Sequence, residues 1–107
     1  MSNRTYQKAI KAFGEADVIY KVIEELSELL VAIIHYRDGK ISLPKLIDEM
    51  ADVKITTEKL EVYLTDKLSL DIVGFISDAK KIKLQGLEKL IKKKNDGRGR
   101  NGRSKNT

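Results

Sequence analysis

Apolar residues recur every three or four positions along most of this chain, and this spacing restricts its fold to α-helices. No stretch keeps the two-residue alternation of a half-buried strand. Most glycines and the single proline, Pro44, fall between the periodic stretches or near the C-terminus. The pattern predicts an all-α protein, a helical bundle of about four helices over residues 5–13, 15–36, 44–65 and 70–93.

The residues between the predicted helices favour the same division. Gly39 suits the end of the second helix, because glycine readily adopts the left-handed conformation found there. Ser42 or Leu43 precedes Pro44, and proline is favoured at the first position of a helix. Ser69 is placed to cap the N-terminus of the fourth helix.

The third predicted helix is apolar on two sides. Its main stripe consists of Leu46, Met50, Val53, Thr57, Leu60 and Leu64. The second helix has a comparable stripe of Ile19, Val22, Ile23, Leu26, Leu29, Leu30 and Ile33. On the third helix, Ile47, Ala51, Ile55 and Val62 lie roughly 120–200° from Val53, at about 100° per residue. In so short a chain, the two-sided helix predicts that homo-oligomerisation completes the bundle.

Charge is distributed unevenly around the net value of +5. Residues 1–78 carry ten basic and fourteen acidic side chains, a net charge of −4, whereas residues 79–107 carry eleven and two, a net charge of +9. Residues 95–107 contain no large apolar side chain and cannot bury a core. We therefore predict one helical domain over residues 1–94 and a basic, disordered tail over 95–107.

The chain has no cysteine and a single histidine, His35. Disulfides, thiolate metal sites and cysteine nucleophiles are therefore excluded, as is a zinc site of several histidines within one chain. The longest apolar run, residues 29–34, is too short to span a membrane. The N-terminus lacks the apolar core of a signal peptide. We expect a cytoplasmic protein with no membrane partner.

Carboxylates occur in two groups on the second and third predicted helices. Glu24, Glu25 and Glu28 form the first group, and Glu49 and Asp52 form the second. Residues three apart share one face of a helix, and the short turn between the helices makes them antiparallel neighbours. The two groups can therefore converge on one cleft, where their mutual repulsion requires a compensating cation. Carboxylate oxygens suit Mg²⁺ or Mn²⁺.

A solvated acidic face is the alternative for either group alone. Glutamates near one another are common on exposed helices, and Glu24 can pair with Lys21 on the preceding turn. The position of both groups beside apolar stripes on adjacent helices favours the metal site.

The spacing Glu24-Glu25-x-x-Glu28, followed after twenty residues by Glu49-x-x-Asp52, resembles the motif of the MazG-like nucleoside triphosphate pyrophosphohydrolases. The resemblance covers about residues 5–93. It implies an all-α enzyme that uses Mg²⁺, with Mn²⁺ as a substitute, to hydrolyse an NTP or dNTP to the monophosphate and pyrophosphate. By position, the resemblance assigns the metal ligands to Glu25, Glu28, Glu49 and Asp52. Dimers, or tetramers made of two dimers, are typical of the family.

The resemblance also implies residues for catalysis and for phosphate binding. Glu28 or Glu24 would orient the attacking water or take its proton. The candidates for binding phosphate are Lys54, Lys80, Lys81 and Lys83. Gly86 departs from the family, in which a larger and often basic residue is common at this position. His35, at the end of the second helix, is interpreted as a surface or capping side chain.

Two other classes of function fit the sequence. The basic segment 80–105 is interrupted by glycine, and such segments bind nucleic-acid phosphates without sequence preference. A catalytically silent helical interaction protein is the third possibility. A metal titration separates it from the enzyme, because an ion that binds only the native state must stabilise that state.

Overall fold

The computed structural model describes residues 2–101, which form four α-helices and no strand. The helices are α1 (Ser2–Phe13), α2 (Glu15–Arg37), α3 (Leu43–Leu68) and α4 (Ile72–Asn101). The prediction of an all-α fold is therefore confirmed. None of the helices within residues 2–101 is both long enough and apolar enough to cross a membrane.

The chain divides into two compact units, Met1–Ile72 and Val73–Thr107. The predicted boundary at residue 94 falls inside α4, which continues to Asn101. Part of the expected tail is thus helical, because a helix that has already formed gains a backbone hydrogen bond for each polar residue it adds. Residues 102–107 lie outside the described part of the chain, and the assignment of 1–94 as one domain stays a prediction.

Helices α1, α2 and α3 pack together in the first unit, where α2 lies along α3 and α1 contacts both. The buried apolar side chains are Val18, Val22, Ala32 and Val62. Thr56 is also buried, and its hydroxyl donates to the carbonyl oxygen of Val53 over 3.2 Å. This bond inside the helix satisfies the hydroxyl group in the core.

The face of α2 that meets α3 differs from the predicted stripe. At one edge of the predicted stripe, α2 buries Val18, Val22 and Ala32. Glu25 and Leu29 lie on the same edge and are partly buried. Most of the predicted stripe is exposed: Ile19, Ile23, Leu26, Leu30 and Ile33. The apolar surface of α2 is wider than one neighbouring helix can cover, and α3 covers only one side of it.

Capping interactions define the turn between α2 and α3. Asp38 is the C-cap of α2, and Gly39 follows it with a φ of 75°. The amide of Gly39 donates to Tyr36 over 3.0 Å, and that of Lys40 donates to His35 over 2.8 Å. These two bonds form a Schellman motif, in which glycine accepts the left-handed conformation without strain.

Serine caps mark both ends of α3. The Ser42 side chain accepts a hydrogen bond from the amide of Lys45 at the start of α3, so Leu43 rather than Pro44 is the first residue of this helix. Ser69 was expected to begin α4, but it is instead the C-cap of α3, with φ 55° and ψ 43°. Its amide donates to the carbonyl of Thr65 over 2.9 Å, so this residue satisfies an orphan carbonyl of the preceding helix.

Candidate metal centre

The packing of α2 against α3 brings the two carboxylate groups together. Carboxylate oxygens of Glu25, Glu49 and Asp52 lie within 4.8 Å of one another, and so do those of Glu24, Glu25 and Glu28. We call these five residues the carboxylate cluster. Glu25 belongs to both triplets, so it is the residue that connects the two helices.

Helix geometry explains the central position of Glu25. It lies about 60° from Val22 around α2, on the edge that also holds the buried Val18 and Ala32. This edge faces α3, where Glu49 is partly buried with a side chain only 12% exposed. A carboxylate at this point of the helix–helix contact is partly withdrawn from water.

The electrostatics of the cluster are unfavourable without a cation. Burial raises the pKa of Glu25 above its usual value, and the negative charges of Glu28, Asp52, Glu24 and Glu49 raise it further, in that order. The Oε1 atoms of both Glu25 and Glu49 are buried and have no hydrogen-bond partner. A buried acceptor without a partner loses its hydration and gains nothing in return, which destabilises the fold.

Two lysines bind the glutamates at the edges of the cluster. Lys21 Nζ lies 3.0 Å from Glu24 Oε1, and Lys45 Nζ lies 3.1 Å from Glu49 Oε2. Within residues 2–101, neither lysine forms an ion pair with Glu25. The lysines therefore neutralise the edges of the cluster and leave its centre negative.

A cavity of about 380 Å³ opens between α2 and α3 beside the cluster. We call it the α2–α3 cavity. It is lined by Ser27, Glu28, Val31, Ala32, His35, Ile41, Lys45 and Glu49. Glu28 and Glu49 belong to both the cavity and the cluster, so the two features are continuous.

From the sequence, His35 is interpreted as a surface or capping side chain, and no role is predicted for Lys45. The structure places both in the wall of the α2–α3 cavity. Helical spacing indicates both positions, because His35 follows Glu28 by seven residues and Lys45 precedes Glu49 by four. Each of these spacings puts the two side chains on one face of a helix.

Among the candidate phosphate-binding lysines, only Lys54 belongs to the same unit as the cluster. Lys54 is exposed on α3, roughly 200° around the helix from Asp52. Lys80, Lys81 and Lys83 are exposed side chains of α4, in the second unit. A role for these four lysines in binding phosphate stays a prediction.

A second cavity, of about 280 Å³, lies elsewhere in the first unit and is lined mainly by polar side chains of all three helices. In its wall, Glu15 Oε1 accepts hydrogen bonds from Tyr63 Oη over 2.7 Å and from Lys67 Nζ over 3.0 Å. The hydrogen bond from Tyr63, followed by the hydrogen bond and charge of Lys67, lowers the pKa of Glu15. This carboxylate is paired, in contrast to Glu25.

No family model matches the chain, and comparisons with curated proteins and with solved structures return no significant match. The residues of the cluster and their surroundings are therefore the guide to the function of this chain. Carboxylates are hard oxygen donors, and a group of them on two rigid helices can hold a divalent cation such as Mg²⁺ or Mn²⁺.

Proposed function

We propose that this chain is a Mg²⁺-dependent nucleoside triphosphate pyrophosphohydrolase of the MazG-like type, acting on the cytoplasmic nucleotide pool. Its substrate is an NTP or dNTP, and its products are the nucleoside monophosphate and pyrophosphate. The observation that carries the proposal is the pair of buried, unpartnered oxygens, Oε1 of Glu25 and Oε1 of Glu49, within the carboxylate cluster. The resemblance of the Glu24–Asp52 spacing to the MazG-like motif supplies the reaction.

The residues of the cluster fit a divalent cation. Glu25, Glu49 and Asp52 would hold it from both helices, and Glu28 would complete the set from the exposed side. Such an ion would reduce the penalty on buried carboxylate oxygens of the cluster, because ligand bonds would replace lost hydration. When bound, it supplies charge neutralisation for the triphosphate and lowers the pKa of a coordinated water.

Glu28 is the better candidate for the general base. Glu24 Oε1 is already bound by Lys21, whereas Glu28 is exposed and has no ion pair among the described residues. In the proposed reaction, a water oxygen bonds to the α-phosphorus while the bond from that phosphorus to the bridging oxygen of pyrophosphate breaks. Glu28 accepts the proton of the water, and the bridging oxygen leaves with its electron pair.

Exposed apolar surface supports assembly of the chain into a dimer or tetramer. Ile23 and Leu30 on α2 are 63% and 61% exposed, and Ile47 and Ile55 on α3 are about half exposed. Large apolar side chains left exposed on adjacent helices favour a protein interface. Val62, which was assigned to the same oligomer-facing side, is buried within the first unit. Light scattering of the wild type and of Leu30→Glu tests this assembly.

The reaction is tested with a panel of normal and modified nucleotides in the presence of Mg²⁺ or Mn²⁺. We expect at least one NTP or dNTP to yield monophosphate and pyrophosphate in equal amounts, measured by ion-exchange chromatography. The Asp48→Asn variant is a matched control, because Asp48 is exposed on α3 and lies outside the cluster. Absence of turnover across the panel would contradict the proposal.

Nucleic-acid binding is the second candidate, favoured by α4. Seven lysines between residues 80 and 94 are all exposed on this helix. Lysines on one helix can neutralise backbone phosphates without reading sequence, and such binding weakens steeply with salt. A gel-shift series at increasing salt tests it, and the chain truncated after Lys94, which keeps all seven lysines, separates their contribution from that of the basic residues that follow.

A further inference from the structure

Lys45 and Glu49 form an ion pair at the edge of the carboxylate cluster, across one turn near the start of α3. The Nζ atom of Lys45 lies 3.1 Å from Oε2 of Glu49. The other oxygen of this carboxylate, Oε1, is buried and has no hydrogen-bond partner among the described residues. The two oxygens of Glu49 are therefore in different states, since a lysine holds one and the other has no partner.

Stabilisation of α3 does not explain this ion pair. Lys45 lies in the first turn of the helix, where the partial positive charge of the helix N-terminus disfavours a cation. Lysine also precedes glutamate in the pair, which is the weaker order for oppositely charged residues four apart on a helix. A lysine that served only to strengthen α3 would be better placed near its C-terminus.

The ion pair instead restricts the orientation of Glu49. The last side-chain torsion of a glutamate, which turns the plane of the carboxylate, has only broad preferences of its own. The contact with Lys45 limits this rotation. The Glu49 side chain is only 12% exposed, so water competes weakly for the same oxygen. With Oε2 held by Lys45, Oε1 is the oxygen that is available to bind a ligand.

Building on the proposed function, we propose that Lys45 is a positioning residue of the metal centre, which holds Oε2 of Glu49 so that Oε1 binds the divalent cation. Carboxylates that bind metals are themselves hydrogen-bonded, and loss of such an outer partner costs about 10–100-fold in metal affinity. Removal of Lys45 also removes a positive charge that repels the cation. We therefore expect the low end of this range.

Lys21 provides the matched comparison on α2. Its Nζ atom lies 3.0 Å from Oε1 of Glu24, so it too is a lysine paired with a glutamate of the cluster. Glu24 is not among the four metal ligands of the proposed function. Loss of Lys21 removes a positive charge beside the cluster without releasing a proposed ligand, so the affinity for the cation should stay the same or rise slightly.

The affinity for Mn²⁺, measured by electron paramagnetic resonance without nucleotide, tests the proposal. Methionine at position 45 keeps the backbone amide that donates to Ser42, so the start of α3 is retained. We expect the dissociation constant for Mn²⁺ to rise about tenfold in Lys45→Met. It should return close to the wild-type value in Lys45→Arg, which keeps the charge and the donor, and should not rise in Lys21→Met. Binding of Mn²⁺ by Lys45→Met that is as tight as in the wild type, or tighter, would overturn the proposal.

NMR of the wild type with Mg²⁺, which is diamagnetic, gives a second measurement that does not depend on the folding of a variant. If Lys45 holds Glu49 in the metal-bound state, the ammonium protons of Lys45 should stay protected from exchange with water when Mg²⁺ is added. Loss of this protection would show that the ion displaces Lys45 from Glu49, and would overturn the positioning role.

These measurements separate the inference from the proposed reaction. Binding of Mn²⁺ that depends on Lys45 supports the positioning role even if no nucleotide is hydrolysed. Hydrolysis of a nucleotide by a Lys45→Met variant with unchanged affinity for Mn²⁺ overturns the positioning role and leaves the pyrophosphohydrolase intact.

Discussion

Glu15 and Glu25 lie on the same helix and both meet α3, yet their surroundings are opposite. Glu15 accepts hydrogen bonds from Tyr63 and Lys67, which lower its pKa. Glu25 has a buried oxygen without a partner, and burial together with four neighbouring carboxylates raises its pKa. A paired carboxylate stabilises the fold, whereas a carboxylate without a partner among like charges is destabilising and could hold a cation.

The surroundings of Glu15 and Glu25 differ because the two halves of α3 present different side chains to α2. Its N-terminal half presents Glu49 and Asp52 to α2, and its C-terminal half presents Tyr63 and Lys67. The two cavities of the first unit follow the same division, since one adjoins the carboxylate cluster and the other adjoins the Glu15 pair. Substitutions at matched glutamates can therefore test the two regions against each other.

The largest expected effect is on catalysis. Glu25→Gln removes the residue shared by both carboxylate triplets, and we expect kcat/KM to fall by at least about 100-fold, since even weaker changes around a metal site cost 10–100-fold. Glu15→Gln should retain activity near the wild-type value, because Glu15 lies outside the cluster. Steady-state assays with the preferred nucleotide and Mg²⁺ measure both variants.

Retained folding must accompany the loss of activity in Glu25→Gln. Circular dichroism should show native helicity, since the neutral amide fits the same space and can donate to a neighbouring carboxylate. If Glu25→Gln unfolds while Glu15→Gln stays folded, the role of Glu25 is structural rather than catalytic.

The second largest effect is stabilisation by the cation. Mg²⁺ or Mn²⁺ at about one hundred times its dissociation constant should raise the free energy of unfolding by about 2.7 kcal/mol. The wild type and Glu15→Gln should show this response in thermal melts, and Glu49→Gln should lose most of it. A stabilisation that persists in Glu49→Gln would place the ion elsewhere in the chain.

The comparison also explains how much the sequence could predict. The spacing of Glu25, Glu28, Glu49 and Asp52 predicted convergence, because helical periodicity and a short turn fix which faces of two helices meet. It did not predict which edge of the α2 stripe is buried. Ile23 and Leu30 are as apolar as Val18 and Val22, and only the position of α3 decides between them.

The cap at Ser69 and the wall of the α2–α3 cavity were missed for a similar reason. Serine is favoured at N-caps, but Ser69 adopts a left-handed conformation at the end of α3, which depends on where that helix stops. The cap therefore depends on a helix end, which sequence patterns locate only approximately. His35 lies within the predicted second helix, seven residues after Glu28, but the cavity that it lines exists only because α3 packs beside α2.

A third, smaller effect is a pH dependence of opposite sign at the two glutamates of the metal-free protein. Between the usual glutamate pKa of 4.5 and the raised pKa of Glu25, the native state keeps a proton that the unfolded chain has lost, so stability falls as pH rises. Glu15 has a lowered pKa, so its contribution is complete above 4.5 and is lost as pH falls.

The signs of these two pH effects on stability are checked by urea midpoints, measured across this pH range in the metal-free protein. Glu25→Gln should remove the loss of stability on the high-pH side, a change of about 1 kcal/mol or less. Glu15→Gln should remove the loss on the low-pH side. The same pH slope in both variants would show that the two carboxylates do not differ in the way their surroundings indicate.

The smallest expected effect comes from removing one hydrogen bond to Glu15, the paired carboxylate. Tyr63→Phe removes the hydrogen bond that contributes most to the lowered pKa of Glu15, while Lys67 continues to hold the carboxylate. The pKa of Glu15, followed by the NMR signals of its side-chain carbonyl carbon, should therefore rise towards 4.5 without reaching it. Because the pair is exposed and water replaces the phenol, Tm should fall by only about 2 °C or less. Nucleotide turnover and the response to Mg²⁺ should stay at wild-type values, since Tyr63 lies outside the carboxylate cluster. A fall in turnover would mean that the two halves of α3 are energetically coupled, and the contrast between Glu15 and Glu25 would then describe one site rather than two.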